Sequence, residues 1–276
     1  MLDERKISDL NTISRKIRKR CLELAMSKNP NATHLGGSLS SIDILVMLYY
    51  HRMNFDVTKP ELNSRDRFFL SKGHSILGYY SILNDLGFFS SEELFTYGKN
   101  LTNLPGHPVR NKKLGIEFTN GSLGMGLAVA SGHALAAKRK KMKYQTYVLM
   151  GDGECNEGSV WEGAMAAAHF NLDNLTVIID NNGLQQTGTN SEISHADNLA
   201  ARFKSFGWEV FEVDGHSHVE LDKVLTVLTD KPKAIVAKTV KGKGFSFTEG
   251  NNSWHHGVLT ADLYSLALQE LDKRND

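Results

Sequence analysis

The sequence predicts an α/β fold in which a mostly parallel β-sheet carries helices on both faces. Three observations support this class: strand-like runs alternate with amphipathic helical segments, the strand-like runs are apolar throughout, and glycines cluster where strands would turn into helices. The 276 residues suffice for one large domain. No linker, repeat or low-complexity segment divides them, so we predict a single domain over residues 1–276.

The first half of the chain predicts three helices and one strand. Apolar residues recur at three- and four-residue steps over residues 4–27, which predicts a helix on one face of the core. After a turn at Gly36 and Gly37, residues 41–51 predict a second helix. The apolar run 66–70, bounded by polar residues, predicts a strand, and a helix is expected to follow from about Ser75.

The second half alternates strands and helices more regularly. Residues 101–115 lack periodicity and predict a loop. Residues 119–138 show a helical pattern containing several glycines, which favours a helix close to a ligand or another backbone. The remaining predictions are strands at residues 147–150, 175–179, 209–213 and 234–237, and helices at residues 160–171 and 219–229.

The composition is that of an ordinary globular protein. Lys+Arg exceed Asp+Glu by 32 − 31 = 1, so nothing predicts a nucleic-acid partner. The charged residues 1–8 precede no apolar signal core, and the apolar stretch 123–137 is interrupted by Gly, Ser and His. We therefore expect no membrane association and a cytoplasmic location. Cys21 and Cys155 have the spacing of neither a disulfide framework nor a zinc knuckle.

The strongest chemical signal lies at the ends of two predicted strands. Gly151-Asp152-Gly153 directly follows one strand, and Asn182 follows the next. Neighbouring parallel strands end at the same sheet edge, where a helix N-terminus would suit a diphosphate. Asn156 stands where a dinucleotide-binding motif would have its third glycine. A carboxylate beside an amide oxygen predicts Mg²⁺, although Asp152 could instead cap a helix and Asn182 close a turn.

This pattern resembles the thiamin diphosphate-binding motif, in which Gly-Asp-Gly is followed about thirty residues later by Asn. Residues 157–175 are also similar to the amino-terminal half of transketolases. The resemblance extends over almost the whole chain and implies the diphosphate-binding domain of the thiamin diphosphate-binding fold. The further matching blocks, in family order, are residues 34–40, 71–74, 105–108, 119–124 and 254–257.

The resemblance implies a site for thiamin diphosphate and Mg²⁺. The metal would be held by Asp152, Asn182 and the carbonyl oxygen of Leu184. The diphosphate would meet the Gly153 backbone and two histidines, and the aminopyrimidine ring would lie beside a Gly121–Leu123 segment. The residues implied to contact the cofactor are His74, Gly121, Leu123, Asp152, Gly153, Asn182 and His256.

Four residues are implied to act in catalysis. His34 and His107 would face sugar hydroxyls, since imidazoles can exchange protons near neutrality. His256 would face the same centre, although its neighbour His255 leaves open which ring points inward; the glycine that follows favours His256. Glu157 would meet an activating glutamate across a subunit boundary, the alternative being an exposed first-turn glutamate favoured by the helix dipole.

The resemblance also implies a partner chain. In the family, a glutamate from a second, pyrimidine-binding domain activates the cofactor, and only about ninety residues of this chain follow Asn182. We therefore expect a separate carboxy-terminal transketolase subunit, with two copies of each chain forming a heterotetramer. Alone, the chain should show no turnover.

The leading functional prediction is transfer of a two-carbon ketol unit from a ketose or ketose phosphate to an aldose acceptor. The alternatives are a subunit of a 1-deoxyxylulose phosphate synthase-like or 2-oxoacid-decarboxylating enzyme, and a non-catalytic binding homologue. One departure concerns residues 185–188, where Gln-Gln-Thr-Gly replaces the apolar Ile-Asp-Gly segment that is common in the family.

Overall fold

A five-stranded sheet lies at the centre of the computed structural model, which describes residues 2–194 and 198–273. Its strands are β1 (Arg67–Leu70), β2 (Thr146–Gly151), β3 (Leu175–Asn181), β4 (Glu209–Asp214) and β5 (Lys233–Lys238). Their spatial order is β1-β2-β3-β5-β4, and every neighbouring pair is parallel. The predicted α/β class with a parallel sheet is confirmed, and all five strands end at one edge.

Helices connect the strands and cover the sheet. They are α1 (Glu4–Met26), α2 (Leu35–Ser40), α3 (Ile42–Met47), α4 (Ile76–Asp85), α5 (Ser91–Leu94), α6 (Gly126–Arg139), α7 (Gly158–His169), α8 (Asn190–Ser194), α9 (Leu199–Ser205), α10 (His218–Leu225) and α11 (Ala261–Lys273). A π-helical turn, Leu48–Arg52, extends α3, and 3₁₀ turns lie at Lys112–Leu114, Gly153–Asn156 and Asn252–His255. Within the described residues, no helix has both the length and the apolar character that a membrane span requires.

Each face of the sheet carries its own apolar layer, because side chains along a strand alternate between faces. In β2, Tyr147 and Leu149 join a cluster that includes residues of α1, α3, α4 and α10. Val148 and Met150 point to the other face and join residues of α6, α7 and α9. Burial on both faces explains why β2, β3 and β5 are mostly apolar, whereas the edge strand β4 is only partly buried and carries Glu209 and Glu212. The strand ends remain as the place where polar side chains can gather.

The prediction of a turn at Gly36 and Gly37 is wrong, since both lie inside the short helix α2. A Cβ at Gly36 would lie 2.8 Å from the Trp254 carbonyl oxygen, and one at Gly37 would lie 3.2 Å from the His74 ring. These glycines therefore allow close packing of α2 rather than a change of chain direction.

The glycine-rich segment 119–138 is only partly helical. Helix α6 begins at Gly126, seven residues later than predicted, and the preceding residues form a turn in which Gly124 has φ +84°. A Cβ at Gly126 would clash with the Ser71 hydroxyl oxygen. Close contact with the end of β1 thus decides where the helix begins.

Candidate active site

The parallel register brings Asp152 and Asn182 to the same edge of the sheet. Gly151 is paired with Asp180 across β2 and β3, and each candidate ligand follows shortly after its strand. The Asp152 N–H donates to the Asp180 carbonyl oxygen at 3.3 Å, and the Gly183 N–H donates to the Asp152 carboxylate at 2.6 Å. Asp152 and Asn182 both line a cavity of about 350 Å³.

The surroundings of Asp152 suit a cation. The side chain is 2% exposed, and burial followed by the Asp180 carboxylate raises the pKa of Asp152 above its usual value. A nearby positive charge would remove this penalty. Among the described residues, no three His, Cys, Asp or Glu side chains are grouped so that they could hold a metal ion. The residues therefore fit Mg²⁺ only as an oxygen site completed by a carbonyl such as that of Leu184 and by ligand phosphates.

A buried ion pair lies next to Asp152 and Asn182 at this edge of the sheet. The Lys72 ammonium pairs with the fully buried Asp180 carboxylate and donates to the Gly37 carbonyl at 3.0 Å. The Asp180 carboxylate also accepts hydrogen bonds from the hydroxyls of Ser40, at 2.6 Å, and Thr239. Burial favours the neutral acid, but Lys72 and the hydrogen bonds outweigh it and hold the pKa of Asp180 below its usual value. Sequence analysis missed this pair, although Lys72 lies in the block that contains His74.

Three of the predicted histidines converge on the cavity. The His34 ring centroid lies 5.6 Å from that of His74 and 5.9 Å from that of His107, and all three side chains line the cavity. Burial and then the neighbouring His256 and His107 rings lower the pKa of His34 to about 4. Burial and Lys72 also lower the pKa of His74 well below its usual value. Near neutral pH, both rings are therefore neutral hydrogen-bonding groups, and the pKa of His34 lies below the neutral range in which its proton exchange was expected.

The orientation of the histidine doublet differs from the expectation. His255 lines the cavity, with its ring centroid 5.2 Å from that of His74, whereas His256 is exposed and contacts the His34 ring at 4.5 Å. The Lys241 ammonium lies 3.1 Å from His255 Nδ1 and holds this ring inside. The inward ring is thus His255, because side-chain contacts rather than the following glycine decide the orientation.

Lys241 is a second cation that sequence analysis missed. Besides His255, its ammonium donates to the Gln185 carbonyl at 2.7 Å and to the Asn252 side chain at 3.1 Å. Burial, followed by the charge of Lys72, lowers the pKa of Lys241 to about 8. Its position three residues after β5 ends at the site edge is the signal that could have identified it. Two partly desolvated ammonium groups beside one cavity favour an anionic ligand.

The remaining predicted cofactor residues also line the cavity. Gly121 and Leu123 come from the segment before α6, and Gly153 and Leu184 come from the segments that follow β2 and β3. A Cβ at Gly153 would lie 2.8 Å from the Gln185 side chain, so a larger residue would require Gln185 to move. The Gln185 amide therefore occupies the wall where the family commonly has apolar packing.

Glu157 lies at the mouth of the cavity with an exposed side chain. It precedes the first turn of α7 but makes no capping hydrogen bond through its side chain. This position fits the alternative of an exposed glutamate favoured by the dipole of α7, and it also leaves the carboxylate accessible to another chain.

These features agree with the comparison with known proteins. Residues 12–271 match the family model for the thiamine diphosphate binding domain of transketolase. The chain belongs to the transketolase family. It is 41% identical to one of the subunits of the apulose-4-phosphate transketolase of Phocaeicola vulgatus, an alignment that covers 97% of this chain and 95% of that protein. It is 38% identical to the 6-deoxy-6-sulfo-D-fructose transketolase subunit SqwG of Clostridium sp., covering 87% and 88% of the two chains.

Solved transketolase structures show the same fold. The crystal structure of transketolase from Campylobacter jejuni superposes with a TM-score of 0.86 at 30% identity, covering 98% of this chain and 43% of that one. The chain thus spans less than half of that transketolase but nearly all of the subunit relatives. The relatives fit the transketolase prediction and not the alternatives, and the matched domain is a thiamine diphosphate-binding domain.

Proposed function

We propose that this transketolase-family chain is the diphosphate-binding subunit of an enzyme that transfers a two-carbon ketol unit from a ketose to an aldose acceptor. The observation that carries this proposal is one cavity lined by Asp152, Asn182 and three histidines at the carboxyl edge of the sheet. The chain would act as a single domain over residues 1–276, and a cytoplasmic location remains a prediction.

The diphosphate side would hold Mg²⁺ and thiamin diphosphate. Asp152, Asn182 and the Leu184 carbonyl would bind the metal, and the Gly153 backbone with His74 would meet the diphosphate. When bound, thiamin diphosphate supplies the electron sink that C–C bond cleavage in a ketose requires. Lys72 and Lys241 would provide positive charge beside the diphosphate, where a low local dielectric strengthens their attraction.

The histidine side would orient the sugar. His34 and His107 would donate or accept hydrogen bonds with adjacent hydroxyls. Because the His34 ring is neutral, one ring nitrogen can accept a hydroxyl proton while the other donates. His256 is exposed and contacts the His34 ring, so its proposed catalytic role would be exerted at the rim of the cavity. Gly121 and Leu123 would pack against the aminopyrimidine side.

The substrate would carry an anionic group. Two similar proteins are named for apulose-4-phosphate and 6-deoxy-6-sulfo-D-fructose, which bear a phosphate and a sulfonate. A ketose phosphate is therefore the substrate class that we propose first.

A partner subunit would complete the site. The similar proteins are named as subunits, and the Glu157 carboxylate is exposed at the mouth of the cavity. We propose that Glu157 meets a glutamate of a carboxy-terminal partner that carries the pyrimidine-binding half, in an assembly with two copies of each chain.

Reconstitution tests this function. The chain and its carboxy-terminal partner should together transfer a ketol unit from xylulose 5-phosphate to an aldose, and should require Mg²⁺ and thiamin diphosphate. Neither chain alone should turn over, and pyruvate should release no carbon dioxide. Turnover by the lone chain, or decarboxylation of pyruvate by the pair, would contradict the proposal.

A further inference from the structure

Glu154 is a buried carboxylate in the cavity wall that the proposed function leaves without a role. Its side chain lies in the 3₁₀ turn that follows β2 and is 2% exposed. It accepts hydrogen bonds from the Gly124 N–H at 2.8 Å, from the Gly151 N–H at 3.1 Å and from the Ser71 hydroxyl. These donors come from three separate segments, so one carboxylate joins the end of β1, the end of β2 and the turn before α6.

Ser71 extends this connection into α6. Its hydroxyl donates to Glu154, and its oxygen accepts a hydrogen bond from the Gly126 N–H at 3.1 Å. Gly126 is the first residue of α6, so the start of this helix is tied to the end of β1 through the same network. A buried carboxylate needs such donors because an unpaired charge inside a protein is costly.

The turn held by Glu154 also presses against Glu157. A Cβ at Gly124 would lie 2.6 Å from the Glu157 Cβ and 2.7 Å from the Ser159 hydroxyl oxygen. The Ser159 hydroxyl donates to the Gly124 carbonyl at 3.0 Å. Movement of the Gly124 turn would therefore displace the beginning of α7 and the glutamate at the mouth of the cavity.

The two walls of the cavity meet at this carboxylate. Gly121 and Leu123 precede the Gly124 turn, whereas Asp152 and Gly153 directly precede Glu154. Asn120 fixes the far end of the first wall, since its amide donates to the Leu70 carbonyl at 3.1 Å and its side-chain oxygen accepts from the Gly121 N–H. At the other end of this segment, Glu154 joins the Gly124 turn to the residues that follow β2, through its hydrogen bonds from the Gly124 and Gly151 N–H groups.

We propose that Glu154 is a positioning residue that sets the spacing between the Gly121–Leu123 wall and the Asp152–Gly153 wall. A ligand that spans both walls, such as thiamin diphosphate, needs this spacing, whereas one that occupies only the Asp152 wall does not. The inference rests on the proposed function, because that function assigns the two walls to two ends of one cofactor.

The test compares two probes in the assembly of this chain with its partner. Calorimetry would measure the dissociation constants of thiamin diphosphate, which spans both walls, and of inorganic diphosphate, each with excess Mg²⁺. Glu154→Gln keeps the size of the side chain but replaces one acceptor oxygen with a donor. We expect it to weaken thiamin diphosphate binding about tenfold and inorganic diphosphate binding less than about threefold, since one charge-assisted hydrogen-bond network is disrupted.

Asp66→Asn is the matched control. Asp66 is 6% exposed and accepts backbone N–H donors from Asn54 at 2.8 Å and Gln145 at 2.7 Å, but it lies at the opposite edge of the sheet. Both variants should lower the melting temperature, but only Glu154→Gln should change the ratio of the two dissociation constants. An unchanged ratio in Glu154→Gln would overturn the positioning role.

Ser71→Ala and hydrogen exchange keep the inference testable if Glu154→Gln does not fold. Ser71→Ala removes one donor and should change the ratio in the same direction by about two- to threefold. In the same variant, hydrogen exchange at the Gly124 and Gly126 amides should also be faster, relative to exchange at the amides of β3, than in the wild-type chain. Unaltered exchange and an unaltered ratio would refute the inference, whereas a wild-type assembly that does not bind thiamin diphosphate would instead refute the proposed function.

Discussion

The two sides of the cavity are built in different ways. On the diphosphate side, Asp152 follows a strand, and the N–H groups of Gly153 and Gly183 hold its carboxylate at 2.8 and 2.6 Å. On the histidine side, His34 lies at the start of helix α2 and His107 lies in a long loop, and their ring centroids are 5.9 Å apart with the rings inclined edge to face. Sheet register therefore positions the first side, and loop conformation positions the second. Substitutions should damage stability and cofactor binding most on the first side.

The buried pair beneath the diphosphate side gives the largest expected effect. Lys72→Met leaves the Asp180 carboxylate uncompensated at 0% exposure, so the free energy of unfolding should fall by about 3–5 kcal/mol. Lys138→Met is the matched control, because Lys138 forms a Lys–Asp pair with Asp173 at the surface and should contribute at most about 1 kcal/mol. Urea unfolding of both variants measures the difference. Equal losses would show that the pair does not support this edge.

The proposed metal ligand, Asp152, gives the next effect. Asp152→Asn keeps the shape of the side chain but removes its charge, so thiamin diphosphate binding at saturating Mg²⁺ should weaken about 100-fold, or about 2.7 kcal/mol. Asp173→Asn, at the surface, is the control. Calorimetric titrations at several Mg²⁺ concentrations would measure the change. A variant that retained the full Mg²⁺ dependence would place the metal elsewhere.

The diphosphate side could be predicted from the sequence because its geometry follows from local rules. Apolar runs predict the strands, and a carboxylate and an amide at successive strand ends must approach each other in a parallel sheet. Lys72 and Lys241 were missed because their places in the sequence, in the block with His74 and three residues after β5, put them near the site but do not show that they are buried. Their roles depend on burial against Asp180 and Gln185, which only the folded chain shows.

The histidine side could be predicted only through the family resemblance. Short-range patterns did not reveal that Gly36 and Gly37 lie inside a helix, since contacts with Trp254 and His74 decide this. The orientation of the doublet likewise depends on a distant side chain, because the Lys241 ammonium lies beside His255 Nδ1. In segments outside the sheet, tertiary contacts rather than local sequence patterns determine the conformation.

The histidine doublet, His255 and His256, offers a sharper test of the histidine side. His255→Gln removes a ring that lines the cavity, so thiamin diphosphate binding should weaken about tenfold, as expected for a lost hydrogen bond to an anion. His256→Gln alters an exposed ring at the rim and should change the same dissociation constant less than about threefold. Calorimetry on the two single variants, compared side by side, measures both. A larger loss in His256→Gln would restore the order expected from the sequence.

The smallest expected effect is a pH dependence of stability on the histidine side. Burial lowers the pKa of both His34 and His255 to about 4 in the folded chain, from 6.5 in a free side chain. Between pH 4 and 6.5, the unfolded chain therefore binds more protons than the folded chain. The free energy of unfolding should accordingly decrease as the pH falls through this window, by about 1 kcal/mol for each ring once solvent screening is allowed for.

Urea unfolding from pH 4.5 to 7 would measure this slope. The double variant His34→Gln, His255→Gln should reduce it, since neither glutamine takes up a proton; part of the slope should remain because burial also lowers the pKa of His74. His169→Gln, at the exposed end of α7, is the control. Bound thiamin diphosphate with Mg²⁺ should also reduce the slope, because a nearby anion favours the charged imidazole and raises its pKa in the folded state. If neither the double variant nor the cofactor changed the dependence of unfolding free energy on pH, the acid sensitivity would lie outside the histidine side. The two sides of the cavity would then not differ in their response to protons.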